Sequence, residues 1–152
     1  MFGSVPGGED RVPYPAGRSE EGTGVLGLRT VLIVDDEPDV RLVTRVILEA
    51  AGYDVEEAES GEVALDLLGE GPMPDVLLLD VRMPGIDGWE VLRRVRDSPG
   101  RLCELPIVIF TADIASADLA PVALADREFF LGKPFDPDEL IDLVGRAAKA
   151  AA

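Results

Sequence analysis

Three uninterrupted aliphatic blocks, Val31–Val34, Val76–Leu79 and Ile107–Phe110, each end against a polar residue and stand apart by stretches long enough to hold helices. A block of four apolar residues is too short for a buried helix but suits a strand covered on both faces, which in turn requires a parallel sheet with helical crossovers. Weaker strand patterns occur at Tyr53–Ala58 and Glu128–Leu131. The order is then strand and helix in alternation, five of each. Right-handed crossovers place the helices on both faces, so the expected fold is α/β, a doubly wound five-stranded parallel sheet flanked by five helices.

The connecting segments carry the marks of helices with ends. Val40, Val43, Ile47 and Ala50 fall at helical spacing, and Gly52 is placed to stop that helix. Ser60 can cap a second helix with an apolar face of Val63, Ala64, Leu67 and Leu68. A third runs from about Asp87 to Arg96, and Asp136-Pro137 opens a last one striped by Leu140, Ile141, Val144 and Ala148. The fourth, between Ile114 and Glu128, is weakly amphipathic and contains Pro121, so a short and poor helix is expected there. Residues 1–28 are rich in Gly, Pro, Ser and Glu and are expected to form a disordered leader, leaving 29–150 as one folded domain. The Gly22–Gly27 segment matches the G-x-G-x-x-G pattern, but it precedes the first strand where such a loop should follow one, so it is a chance match.

Composition excludes several chemistries. There is no histidine and one cysteine, Cys103, so Ser-His and Cys-His nucleophile pairs and thiolate metal clusters are ruled out, and any metal must be held by oxygen. A formal net charge of −16 opposes direct binding to nucleic acid or to anionic membrane surfaces. No apolar run approaches the roughly 20 residues of a membrane span, and the N-terminus lacks a secretory pattern, so the expected compartment is the cytoplasm.

In a doubly wound sheet ligands bind at the carboxyl ends of the strands. Asp35 and Asp36 fall there after the first strand, Asp80 after the third, Thr111 at the end of the fourth and Lys133 after the fifth. Three carboxylates brought together would repel and raise one another's pKa values unless a cation joins them. Mg²⁺ is the expected occupant, being a hard ion that takes oxygen and keeps waters for a phosphate to share. With a carboxylate nucleophile, an ammonium and a hydroxyl beside it, the set suits phosphoryl transfer to Asp80, with Lys133 and Thr111 stabilising the phosphoryl oxygens.

The motifs Val34-Asp35-Asp36, Asp80-Val81-Arg82-Met83-Pro84-Gly85-Ile86-Asp87-Gly88, Thr111-Ala112 and Lys133-Pro134-Phe135 occur in that order, and from about Thr30 to Ala150 the chain resembles the bacterial two-component response-regulator receiver domain. The resemblance implies a flavodoxin-like receiver fold and phosphorylation of Asp80 by a sensor histidine kinase or a phosphotransfer protein. It implies direct Mg²⁺ ligation by Asp36 and Asp80, with Asp35 acting through water or as a further ligand and the backbone carbonyl of Arg82 completing the set. Thr111 and Phe130 correspond to the switch pair that moves on phosphorylation, altering the surface of the fourth helix, fifth strand and fifth helix for an unknown downstream protein. The Lys133–Pro134 bond is expected to be cis, and the loop residues Arg82 and Asp113 to adjust the phosphate's lifetime. Such a domain is a regulatory phosphoacceptor rather than an enzyme, promoting its own phosphorylation and dephosphorylation. The alternatives are a non-phosphorylated binding module or a phosphate sink; an aspartyl-phosphate phosphatase would need an aspartate where Arg82 stands.

Overall fold

A computed structural model describes residues 28–111 and 127–150, with Thr111 described in its backbone only. Five strands form one sheet: β1 (Thr30–Val34), β2 (Asp54–Ala58), β3 (Val76–Asp80), β4 (Ile107–Thr111) and β5 (Glu128–Gly132), in the order β2-β1-β3-β4-β5, every pair parallel. The helices are α1 (Pro38–Ala50), α2 (Gly61–Glu70), α3 (Gly88–Arg96) and α4 (Pro137–Ala150), with a short 3₁₀ helix at Gly100–Glu104 that the sequence reading did not anticipate. The expected leader, the Gly22–Gly27 segment, Asp113 and nearly all of the expected fourth helix lie outside the described residues. No helix among the described residues is long and apolar enough to cross a membrane.

The two-residue period of the strands divides the core into two layers. Leu32, Val34, Leu77, Leu79, Ile107 and Ile109 face α2 and α3, where they meet Ala64, Leu68, Val91, Leu92 and Val95. Val31, Ile33, Val76, Leu78, Val108 and Phe110 face the other way, onto Leu48 of α1 and Leu140, Val144, Ala147 and Ala148 of α4. Both faces of β1, β3 and β4 are therefore covered, which explains why their sequences read as unbroken apolar blocks. The chain moves outward from β1 in opposite directions toward β2 and β3, and the crevice where the strand order reverses lies above the ends of β1 and β3.

Local signals set the helix ends. Gly52, at φ +99°, closes α1 with hydrogen bonds from its own N–H to the Glu49 carbonyl (3.0 Å) and from Tyr53 N–H to the Leu48 carbonyl (3.0 Å). The Ser60 hydroxyl accepts from Val63 N–H (3.1 Å), and Asp87 accepts from Glu90 N–H (2.9 Å), capping α2 and α3.

Two of the apolar stripes need correction. In α1 the fully buried residues are Thr44 and Leu48, whereas Val43 is 54% exposed and Ala50 lies on the surface. Thr44 escapes a hydropathy reading because its hydroxyl donates to the Val40 carbonyl (2.7 Å), which lets a polar side chain sit against the sheet without loss. In α2 only Ala64 and Leu68 of the expected four are buried; Val63 and Leu67 are left partly open.

Candidate functional site

Asp35 leaves β1 with its backbone still tied to the sheet, its N–H donating to the Ala58 carbonyl (3.2 Å). Its side chain is wholly buried: Oδ1 accepts from Glu37 N–H (2.8 Å) and Oδ2 from the Lys133 ammonium (2.8 Å). Lys133 reaches the site from the residue following β5 and also lies 3.5 Å from Asp80 Oδ2. Asp80, the last residue of β3, receives the Arg82 N–H on Oδ1 (3.4 Å). Beneath the ammonium lies the ring of Phe110, its centroid 4.6 Å from Nζ. That aromatic floor, on β4, keeps the lysine over the crevice and excludes water from below it.

Asp36 completes an acidic triangle. One carboxylate oxygen from each of Asp35, Asp36 and Asp80 lies within 4.8 Å of the others, with Asp36 more open to solvent than its two neighbours. Opposite ligands of an octahedral Mg²⁺ stand about 4.2 Å apart, so a modest contraction would let these oxygens share one ion. The electrostatics point the same way. Asp80 is pushed up from the ordinary 3.8 to about 6, first by burial and then by the charges of Asp35 and Asp36, which act against the lowering effects of Lys133 and the Arg82 N–H. One ammonium among three acids leaves the site short of positive charge, and an all-oxygen donor set of this size fits Mg²⁺.

Of the other expected residues, Thr111 and Arg82 fall at the same edge of the sheet, whereas Phe130 sits in the middle of β5. Thr111 ends β4 opposite Gly132 in the β4–β5 register; its side chain is outside the description. Arg82 lies in the turn after Asp80. Phe130, on β5, is half-buried and packs edge-on against Trp89 of α3, ring centroids 6.3 Å apart. The Lys133–Pro134 peptide is cis.

Sequence reading missed the supports of the site. Phe110 looked like one more core residue, and nothing in the spacing singled out Arg41 or Glu62. The Glu62 carboxylate accepts from Ile86 N–H (3.3 Å), and Gly85 takes φ +80° beside it, so α2 helps shape the turn that follows Asp80. Gly88 joins that turn to α3 as the helix's first residue. Its N–H donates to the Val81 carbonyl (2.9 Å), and a Cβ there would stand 2.3 Å from the Asp80 carbonyl oxygen. Gly88→Ala is therefore expected to push β3 and α3 apart, lowering stability by about 2–3 kcal/mol in a urea unfolding experiment; an unchanged midpoint would show that the turn yields more easily than the contact implies.

Residues 31–145 match the family described as the response regulator receiver domain. Among curated proteins, the DNA-binding transcriptional regulator NtrC of Klebsiella pneumoniae is 42% identical over 116 residues, 76% of this chain. The CAI-1 autoinducer sensor kinase/phosphatase CqsS of Vibrio cholerae is 34% identical over 116 residues, again 76% of this chain. The chain spans only 24% and 17% of the length of those two proteins. A response regulator receiver protein from Sinorhizobium medicae WSM419 superposes with a TM-score of 0.73 at 30% identity, covering 84% of this chain and 99% of its own. The sheet order, the two helical layers and a match running through all five strands have one common explanation: this chain belongs to the response regulator receiver domains of two-component signalling.

Proposed function

We propose that the chain is a phosphoacceptor switch, in which an oxygen of the Asp80 carboxylate attacks the phosphorus of a phosphohistidine on a sensor kinase or phosphotransfer protein. The P–N bond breaks, the imidazole leaves, and an acyl phosphate forms on Asp80. The observation that carries this reading is the convergence of Asp35, Asp36, Asp80 and Lys133, drawn from three strand ends, on one crevice. Bound Mg²⁺, held by Asp36, Asp80, the Arg82 carbonyl and Asp35, would supply the positive charge that the phosphoryl oxygens require.

The chain's own residues do the rest. The Asp35 carboxylate and the Phe110 ring hold the Lys133 ammonium 3.5 Å from Asp80, where it can pair with a phosphoryl oxygen. Thr111, at the end of the neighbouring strand, is the hydroxyl to donate to another. Phe130, half-buried against Trp89, is the ring whose position follows Thr111 and carries the change to the surface around β5 and α4. A donor must present its phosphohistidine at the rim of the crevice, and the exposed Leu42, Val43 and Val46 on α1, the helix that starts just after Asp36, offer it apolar surface there. Hydrolysis of the acyl phosphate by water would return the switch to its first state.

Acetyl phosphate tests the chemistry without a cognate kinase. With Mg²⁺ the protein is expected to gain one phosphoryl group by intact mass, acetate leaving, and to gain none when EDTA removes the ion. An unmodified mass under both conditions would remove the phosphoacceptor reading.

A further inference from the structure

Asp35 is held at each of its four polar positions, and three of the holders belong to its immediate surroundings: the Ala58 carbonyl, the Glu37 N–H and the Lys133 ammonium. The fourth comes from α1. Arg41 Nη1 donates to the backbone carbonyl of Asp35 (2.7 Å), and Arg41 Nε donates to Glu57 Oε1 on β2 (3.0 Å). The Arg41 side chain is 15% exposed, and Glu57 is gripped from its other oxygen by Arg45 (2.7 Å). For Glu57, burial opposes ionisation, but the hydrogen bonds from Arg45 and Arg41 outweigh it and keep the carboxylate below its ordinary range.

The carbonyl that Arg41 holds belongs to the peptide unit joining Asp35 to Asp36. A peptide unit is planar, so fixing its oxygen fixes the direction in which the chain enters Asp36 and hence where both carboxylates can point. The Arg41 N–H closes the same loop onto the Glu37 carbonyl (3.1 Å). The loop between β1 and α1 is thus pinned to β2 through a guanidinium whose planar fork serves two acceptors at once, a geometry that a lysine cannot reproduce.

We propose that Arg41 is a positioning residue for divalent-ion binding, clamping the Asp35–Asp36 peptide against Glu57 so that the two acids and Asp80 stand ready for one ion. This rests on the Mg²⁺ reading given above. Two effects of removing Arg41 oppose each other. Loss of a cation near three acids would strengthen ion binding, whereas loss of the clamp would weaken it. Because Arg41 and Arg45 together are balanced by Glu57 and Glu49, the charge effect is small and the loosening dominates.

Mg²⁺ titration by calorimetry of wild type, Arg41→Lys and Arg41→Ala, at a temperature where EDTA melting curves show each to be folded, separates the possibilities. Arg41→Lys keeps the charge and loses the fork, so its Mg²⁺ Kd is expected to rise about tenfold, as loss of a supporting partner around a metal typically causes. If Arg41→Ala does not fold, Arg41→Lys decides alone. A lowered metal-free melting temperature with an unchanged Kd would make Arg41 a structural brace and overturn the proposal, as would tighter binding in Arg41→Ala. Failure of the wild type itself to bind millimolar Mg²⁺ would overturn the metal reading and this inference with it, whereas normal wild-type binding with unaffected variants would overturn this inference only.

Discussion

Lys133→Met is expected to destabilise the metal-free protein by about 2–4 kcal/mol, because it leaves the carboxylate of Asp35 buried without its ion partner. Asp35 is 0% exposed, and its Oδ2 has the ammonium 2.8 Å away, so no solvent rearrangement can replace the lost charge. Methionine keeps an apolar stem over the Phe110 ring, so the change reports the charge more than the packing. In urea unfolding the loss should be largest in EDTA and smaller with millimolar Mg²⁺, since an ion bound only to the folded state stabilises by mass action and relieves the same acids. Phosphorylation from acetyl phosphate should slow on the order of 10²-fold, as when one donor to a developing oxyanion is removed. Wild-type stability in EDTA would mean that the Glu37 N–H alone suffices for Asp35 and that the ammonium has little part in the site.

The sheet was readable because its central strands are buried on both faces. Val31–Val34, Val76–Leu79 and Ile107–Phe110 have no polar face to blur the pattern, and their ends fell within a residue of those seen. The helices were less legible. α1 packs through Thr44, whose polarity is cancelled inside the helix, while three of its exposed residues, Leu42, Val43 and Val46, are apolar. Hydropathy therefore found only half of the packed face: Val40 and Ile47 do rest against the core, whereas Val43 and Ala50 do not. Of the site, the residues that end strands could be found from the chain, because topology alone brings strand ends together. The supports could not. Phe110 is distinguished from other core residues only by the ammonium above it, Gly88 by its approach to the Asp80 backbone, and Arg41 by a contact with a carbonyl, which carries no side-chain signature.

Asp80→Asn tests the same cluster with the opposite sign. An amide cannot accept a phosphoryl group to form an acyl phosphate, so this variant should remain unmodified with acetyl phosphate and Mg²⁺; modification at the wild-type rate would place the acceptor elsewhere. Its stability should rise. A carboxyl with a folded-state pKa of about 6 against an ordinary 3.8 holds its proton in the folded chain over an interval where the unfolded chain has released it. Folding is favoured below that interval, and the advantage is lost as pH climbs through about 6, so wild-type stability in EDTA should decline between about pH 4 and pH 7. Asp80→Asn removes that contribution to the decline and is expected to be more stable than wild type at pH 7.5 by on the order of 1 kcal/mol, solvent screening reducing the full effect of the shift. Mg²⁺ should stabilise the variant less than the wild type, because one carboxylate has left the triangle. A single cationic deletion that destabilises and a single anionic deletion that stabilises, 3.5 Å apart, identify a site folded around missing positive charge. If instead both variants lose stability alike, Asp80 and Lys133 act as an ordinary balanced ion pair, and the case for a divalent ion between the strand ends fails.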